Sequence, residues 1–574
     1  MKNNRFLLSA LVDFPDDCNR LVFTPDLVEN LIDRLHWMGV RRVYWNYYQK
    51  GMWEKFADNS EATRQTLVNL GEPLALGCRL AHEREMEFYA TIKPYETGAS
   101  HANPKNSPEM IAVPGLPCIG GVCKVDPWVM ARPEMRVRGR SADIPTDLEK
   151  MPIEQIQLRQ RDMAPVRIRP ENIEIWTSDD NNVYQKQDLT FALTESVETC
   201  PRDVFELDGD PVTSKGESVR VLNLSGLNLL DPFIAITTNF DDRNGSFRNT
   251  AMEMVQAFGP GNQSIPIVVA SHKAVWRPLR DFRTGDLEYD AGLGDALVCL
   301  DVTNQPDTSA GESNDGVIAI ARGRNEYFSG SLCEAYPEVQ AYWLSWVGAC
   351  IAAGVDGLDV RISCHSSWTN TPEIYGFNEP VGAEYQRRYG VNPNVEPYDS
   401  ALLGALRGEF FDQFLRATKL RLSAAGKRMQ VHAEMESFRP DACQGRWRTR
   451  PGNITFNWRS WLRTGLADEA TLFGRGWMPE QMLNDALTLE MLREAADTNV
   501  PVHLSKAVGH SRDGGVHADL LEYIYRFGGL AGYTLYETAA MYDGQNLGAD
   551  GQLQFYPGLC EGIRDRVKIL GLVD

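Results

Sequence analysis

Leu7-Leu8-Ser9-Ala10-Leu11-Val12-Asp13, a short apolar run ending in an acid, opens the alternation that decides the fold. Beyond it, Thr24-Pro25-Asp26 supplies a helix cap and a proline at the first helical position, and an amphipathic stretch from Leu27 to Met38 closes at Gly39. Arg42-Val43-Tyr44-Trp45-Asn46-Tyr47-Tyr48 is aromatic and strand-like. A second helical region is expected over residues 62–86, and Phe88-Tyr89-Ala90-Thr91-Ile92-Lys93-Pro94 reads as a third strand. Strand, helix, strand, helix, strand is the pattern of a parallel sheet with crossover helices.

The pattern breaks after Tyr95. Residues 97–150, rich in Pro, Gly and basic side chains, read as loop. From 150 to 310 short strands such as Ile173-Glu174-Ile175-Trp176, Val219-Arg220-Val221-Leu222 and Phe233-Ile234-Ala235-Ile236 alternate with Asp-Gly, Asn-Gly and Pro-Gly turns. The alternation resumes near Tyr336. Helices are expected over 338–353, 402–425, 479–497, 518–527 and 559–570, with strands over 357–362, 429–435, 469–473, 500–505 and 532–537. Eight strands on a scaffold of about 360–400 residues match a (β/α)8 TIM barrel of the α/β class. Residues 1–96 and 335–574 would form the barrel, and 97–334 an insertion after the third strand with a β-rich, sandwich-like domain. An open doubly wound sheet would need a Gly-rich phosphate turn after its first strand, and Asp13-Phe14-Pro15-Asp16 is not one.

The 574 residues are 43% apolar and 24% charged, which excludes wholesale disorder. A net charge of −20 makes nucleic acid and anionic membranes poor partners, and no Lys/Arg run is long enough to signal a basic patch. No apolar run reaches the length of a membrane span. The run from Phe6 to Val12 is too short for an export signal, so a cytoplasmic protein is expected. Eleven cysteines are scattered without a CxxC pair, and read as reduced thiols; Cys118 and Cys123 in a Gly-rich loop are only a faint metal signal.

Strand parity places the chemistry. Catalytic groups of a barrel sit where strands end, and inward residues alternate with outward ones. Asp359, Arg361 and Ser363 share the polar parity of the fourth strand; His432, Glu434 and Glu436 share that of the fifth, and His503 and Ser505 that of the seventh. Inward sets Tyr44, Asn46, Tyr48 and Tyr89, Thr91, Lys93 are expected from the second and third strands, and the eighth ends at Glu537. Asp359 and Glu434 form the sharpest constellation: paired-carboxylate chemistry needs one acid to donate a proton and one carboxylate kept charged. Inward charges can equally form structural ion pairs within a barrel. His365, Trp368 and Glu379 follow the fourth strand in a long loop, and Trp45, Trp458 and Trp461 are further aromatic candidates for stacking on sugar rings, or for the core.

Gly354-Val355-Asp356-Gly357-Leu358-Asp359-Val360-Arg361, His365-Ser366, Tyr375-Gly376-Phe377-Asn378-Glu379-Pro380 and Glu384-Tyr385-Gln386-Arg387-Arg388-Tyr389-Gly390-Val391 resemble the uncharacterised bacterial glycosyl-hydrolase-like barrels. Pro337 to Leu344 and Trp461 to Asp468 are similar to segments of the same group. The resemblance implies a TIM barrel acting on glycosides, with a carbohydrate as partner. By fold-level analogy Asp359 and Glu434 match the nucleophile and acid/base positions of α-amylase-type barrels.

The expectation is therefore a glycoside hydrolase without cofactor or metal, with Asp359 and Glu434 reacting. Arg361, His365, Trp368, Glu379, His432, Trp45, Asn46, Lys93, Trp458, His503 and Glu537 would line the substrate site. The alternatives are a non-catalytic carbohydrate-binding barrel and a metal-dependent barrel enzyme using His432, Glu434, Asp359 and His503. The insertion could bind glycan, shield the cleft or make a homo-oligomer contact.

Overall fold

The computed structural model describes residues 6–18, 20–47, 61–103, 115–118, 121–143, 150–160, 167–179, 184–201, 203–205, 211–238, 255–270, 317–362, 372–438, 450–474, 478–510 and 512–573. Eight parallel strands close into a barrel: β1 (Leu7–Val12), β2 (Arg42–Asn46), β3 (Glu87–Ile92), β4 (Gly357–Arg361), β5 (Arg428–Glu434), β6 (Glu469–Phe473), β7 (Val502–Ala507) and β8 (Gly532–Tyr536). Neighbours in sequence are neighbours in space, and β8 pairs with β1 from Leu7↔Gly532 to Leu11↔Tyr536 to shut the cylinder. Leu8, Ala10 and Val12 point outward into the layer shared with the helices, whereas Leu11 points inward to meet Tyr44, Tyr89, Phe473 and Tyr536. This two-residue alternation is what closure requires of every strand.

The helices begin and end where short-range chemistry dictates. The Thr24 hydroxyl accepts from Leu27 N ahead of Pro25–Met38, and Gly39 ends that helix at φ 96°. The single helical region expected over 62–86 is two helices, Glu61–Leu70 and Pro73–His82, because Gly71 turns left-handed (φ 68°) and Pro73 can only start a helix. The helix expected over 479–497 is likewise split into Pro479–Leu483 and Ala486–Thr498, where Asp485 caps a new start by accepting from Thr488 N at 2.9 Å.

The insertion leaves after β3. Within residues 97–150, read from sequence as loop, a three-stranded antiparallel sheet forms from Gly98–Asn103, Leu116–Cys118 and Gly121–Val125, and Arg136–Arg138 pairs with Tyr327–Leu332 on the return path. These strands are too short and too rich in Gly and Pro to carry an alternation. Two five-stranded antiparallel sheets follow, in the orders Gln185–Lys186, Ile173–Ser178, Phe233–Thr238, Val317–Arg322, Ile267–Ala270 and Ala192–Thr199, Ser218–Leu229, Ile153–Gln160, Val255–Gly259, Gln263–Ile265. Ile156, Leu158 and Leu224 of one sheet share an apolar core with Ile175, Ile234 and Ile320 of the other, the packing of a sandwich. Where the chain re-enters the barrel, Glu334 takes a bidentate contact from Arg407 (2.7 and 2.8 Å) with both side chains fully buried, and Tyr95 donates to the same carboxylate at 3.1 Å. No helix among the described residues is long and apolar enough to cross a membrane.

Candidate active site at the open end of the barrel

The barrel interior holds many polar side chains besides the Leu11 cluster, and its two halves differ. At the closed end, where strands begin, Glu469 of β6 accepts from Arg42 (2.5 Å), Arg428 (2.8 Å) and Tyr89 (3.1 Å) and lies 3.2 Å from His503 Nε2. Arg42 also reaches Glu87 at 2.7 Å, and Tyr44 donates to Gln430 at 2.9 Å. Burial opposes the Glu469 charge, yet the His503 hydrogen bond and the Arg42 charge hold its carboxyl below the ordinary range. This is a structural ion-pair plug, and His503 belongs to it. The expectation that His503 lines the substrate site is corrected: it stands at the start of β7, the wrong end for the open face.

Asp359 lies one layer above the plug, with no exposed surface. Its Oδ1 accepts from Gln430 Nε2 (2.8 Å), its Oδ2 from Thr91 (3.0 Å), and Oδ2 lies 3.2 Å from His432 Nδ1. Register pairs Asp359 with Gln430, so Glu434 starts four residues further up β5, roughly 13 Å at about 3.3 Å per residue. The two carboxylates expected to react together thus occupy different heights. Asp359 is held by donors and in turn holds a histidine, whose Nε2 is buried and has no hydrogen-bond partner among the described residues.

Glu434 ends β5 and is 2% exposed, and its Oε1 likewise has no partner among the described residues. Nearby, Arg361 at the end of β4 crosses to the Tyr536 hydroxyl and packs over the Tyr536 and Phe473 rings, 5.0 and 5.9 Å from the centroids. Burial works against the Arg361 charge, but Tyr536, Glu96, Glu434 and Glu537 outweigh it and raise its pKa. Past the end of the adjacent strand β3, Lys93 reaches Asp13 (2.8 Å) and Glu96 (3.3 Å); those carboxylates overcome its burial and raise its pKa too. Asn46, 1% exposed at the end of β2, has neither amide atom hydrogen-bonded among the described residues, and Ser505 Oγ of β7 is also unpartnered there. Glu537, half-buried after β8, takes φ 67°, a left-handed conformation that costs a side chain energy and recurs at functional sites. One oxygen each from Asp13, Asp16 and Glu537 lie within 4.8 Å of one another.

Of the residues picked from sequence, Arg361, His432, Glu434, Asn46, Lys93 and Glu537 therefore occupy the inward face at or near the open end. Trp45 does not: it has the opposite parity to Tyr44 and Asn46 and packs outward against Phe14 (4.7 Å between centroids) and Phe88 (5.9 Å). Trp458 is buried with Phe438 and Trp461 against Val431 and Ala433, on the outer face of β5. Glu379 is the exposed first residue of the helix Glu379–Tyr389 and has no place in the barrel. Aromatic character and a place in the chain after the fourth strand do not outweigh parity and a helix start. His365 and Trp368 lie outside the described residues. Asp13, Asp16, Glu96 and Tyr536 were missed. Asp13 had a signal: it extends the inward parity of Leu11 by one step past β1.

The site defines a (β/α)8 barrel with an acid-rich open end. No protein-family model matches the chain, and no curated protein matches it in sequence. Among solved structures it is similar to the catalytic domain of β-amylase from Paenibacillus polymyxa (9% identity, TM-score 0.35, covering 100% of this chain and 99% of that one). It is also similar to trehalose-6-phosphate hydrolase from Bacillus licheniformis (8%, 0.32, 94% and 65%) and to isomaltulose synthase from Klebsiella sp. LX3 (7%, 0.31, 100% and 71%). The barrel assignment stands on the strand pairing itself, and no residue role is carried across from these structures.

Proposed function

We propose that the chain hydrolyses a glycosidic bond at the open end of the barrel, with Glu434 as the proton donor. The observation that carries this reading is Glu434 itself: a buried carboxyl at a strand's C-terminal end, one oxygen unpartnered, beside a guanidinium and facing further carboxylates across the mouth. Glycoside hydrolysis needs an acid for the leaving oxygen and a carboxylate that attacks the sugar carbon or activates water. Glu434 in its acid form protonates the glycosidic oxygen. Glu537 supplies the second carboxylate: it follows β8 at the same mouth, and its charge, like that of Glu434, is felt by Arg361. Asp359 supports the site by fixing His432, and Asn46, Lys93 and His432 Nε2 offer hydrogen bonds to sugar hydroxyls.

The test is a panel of aryl glycosides and natural glycans, followed by Glu434→Gln on whatever is cleaved. Loss of a general acid is expected to lower kcat/KM by about 10²–10⁴-fold. Unchanged hydrolysis in Glu434→Gln overturns the assignment, and saturable glycan binding without turnover selects the non-catalytic reading. A metal-dependent reaction is the second reading, favoured by the Asp13, Asp16 and Glu537 oxygens rather than by the His432 and His503 set expected from sequence. Lys93 already compensates Asp13, which weighs against it. Turnover lost in chelator and restored by a divalent cation would select it.

A further inference from the structure

At the other end of the barrel, beneath the C-terminal ends of the helices Pro25–Met38 and Pro557–Ile569, lies a pocket of about 610 Å³. Its wall carries Arg34, Arg41, Arg564 and Lys568 with His36 and Trp37. In a chain of net charge −20 such a convergence is against the grain of the composition. The sequence gives no warning, because the cations come from segments more than 500 residues apart rather than from one basic run.

Cations near helix C-termini are ordinarily there to meet the helix dipole. Arg41 does this, donating to the carbonyls of His36 (3.4 Å) and Val40 (3.0 Å). Arg34 and Arg564 do not. They sit over the Trp37 ring, 4.9 and 3.9 Å from its centroid, and Arg34 also lies 5.1 Å from the Phe555 centroid. Stacking fixes a guanidinium in place while leaving its N–H edge free to donate. No carboxylate among the described residues pairs with Arg34, Arg564 or Lys568. The one acid in the wall, Asp33, is already engaged by Arg84. His36 reports the same surroundings: burial, Arg41 and Arg84 push its pKa below the ordinary value.

We propose that this pocket binds a small soluble polyanion of the phosphate class. Two held guanidiniums and an exposed ammonium, without acid partners among the described residues, suit an oxyanion with several acceptor oxygens. The volume falls within the range of small-molecule sites, and the cations converge on a concavity instead of spreading along a face as a nucleic-acid track would. The inference is independent of the reading of the open end.

Isothermal titration of the full chain with inorganic pyrophosphate tests it, at about 50 and 200 mM salt. Saturable binding that weakens with salt is expected, and Arg564→Gln/Lys568→Gln should weaken it about tenfold or more. Because Arg564 also packs on Trp37, Lys568→Gln alone is the second variant: Lys568 is exposed, so its loss should spare the melting temperature while still weakening binding several-fold. Absence of saturable binding at the lower salt overturns the proposal, as does an affinity that is unchanged in the double variant.

Discussion

Asp359 Oδ2 lies 3.2 Å from His432 Nδ1, and the opposite ring nitrogen, Nε2, is buried with no partner among the described residues. A carboxylate on one imidazole nitrogen fixes the tautomer and the ring orientation, so His432 holds Nε2 in one position. Asp359→Asn preserves an acceptor for Gln430 and Thr91 but offers His432 a weaker one. On any substrate that the wild type cleaves, it is expected to lower kcat by about 10–100-fold with little change in KM. Asp359→Ala strands the Gln430 and Thr91 donors as well, and should also cost about 1–3 kcal/mol in stability by denaturant titration. An unchanged kcat in Asp359→Asn would leave the aspartate as structure alone.

The barrel was legible in the sequence because eight strand-like segments alternate with helices on either side of the insertion, and the two-residue rhythm within those strands marked their inward face. Asp359, Arg361, His432 and Glu434 all follow that rhythm, and all four point inward. Height along the axis was not legible. Parity says which face a side chain takes, but the stagger between strands, which puts Asp359 level with Gln430 and Glu434 four residues above, exists only once the cylinder closes. Trp45 shows the converse error: reading an aromatic by type, against its own strand's parity, put a core residue into the mouth. The pairing of Asp13 with Lys93, and of Arg34 with Arg564 around Trp37, joins distant segments and leaves no local trace.

Asp17 gives the stability a pH dependence of known sign. Burial drives its carboxyl up to about 8, although hydrogen bonds from Tyr542 and Thr538 pull the other way. A carboxyl that binds its proton more tightly when folded stabilises fully below its unfolded pKa of about 3.9, and that stabilisation is lost as pH rises toward the folded value. Asp17→Asn keeps a neutral polar group there and removes the titration. The melting temperature of the variant minus that of the wild type should therefore rise between pH 4 and pH 8 and level off above. A difference that is flat over this window would contradict a protonated Asp17.

The plug at the closed end titrates in the opposite sense. Burial and Arg42 lower the His503 pKa against the pull of Glu469, while Glu469 itself is held low by His503 and Arg42 in spite of burial. Both groups bind protons less readily when folded, so their contribution is present at neutral pH. It falls first below about pH 6.5 as unfolded histidine takes up protons, then further below about 4.3. Glu469→Gln leaves Arg42 and Arg428 facing a neutral group, and at neutral pH should cost about 3–5 kcal/mol, the usual penalty for half of a buried pair. It should also flatten the acid limb of stability measured by urea titration from pH 3 to 7. A variant as stable as the wild type at pH 7 would show that the plug is dispensable.

Gly532 is where the cylinder closes, and it has no room for a side chain. A Cβ there would stand 2.3 Å from the Leu7 carbonyl oxygen and 2.7 Å from His503 Nδ1, between the first residue of β1 and the plug. The Leu7 oxygen is backbone in the β1–β8 seam, so it cannot step aside as a flexible side chain could. Gly532→Ala is expected to cost about 1–3 kcal/mol or more, as overpacking of a tight core does. Gly558→Ala is the control: its Cβ would meet nothing within 4 Å, and it lies in the helix Pro557–Ile569. Alanine there should be neutral or stabilise by about 0.5–1 kcal/mol. Calorimetric melts of the two variants should separate in opposite directions from the wild type, and a Gly532→Ala melt at or above the wild-type temperature would mean the seam has slack that the close contacts deny.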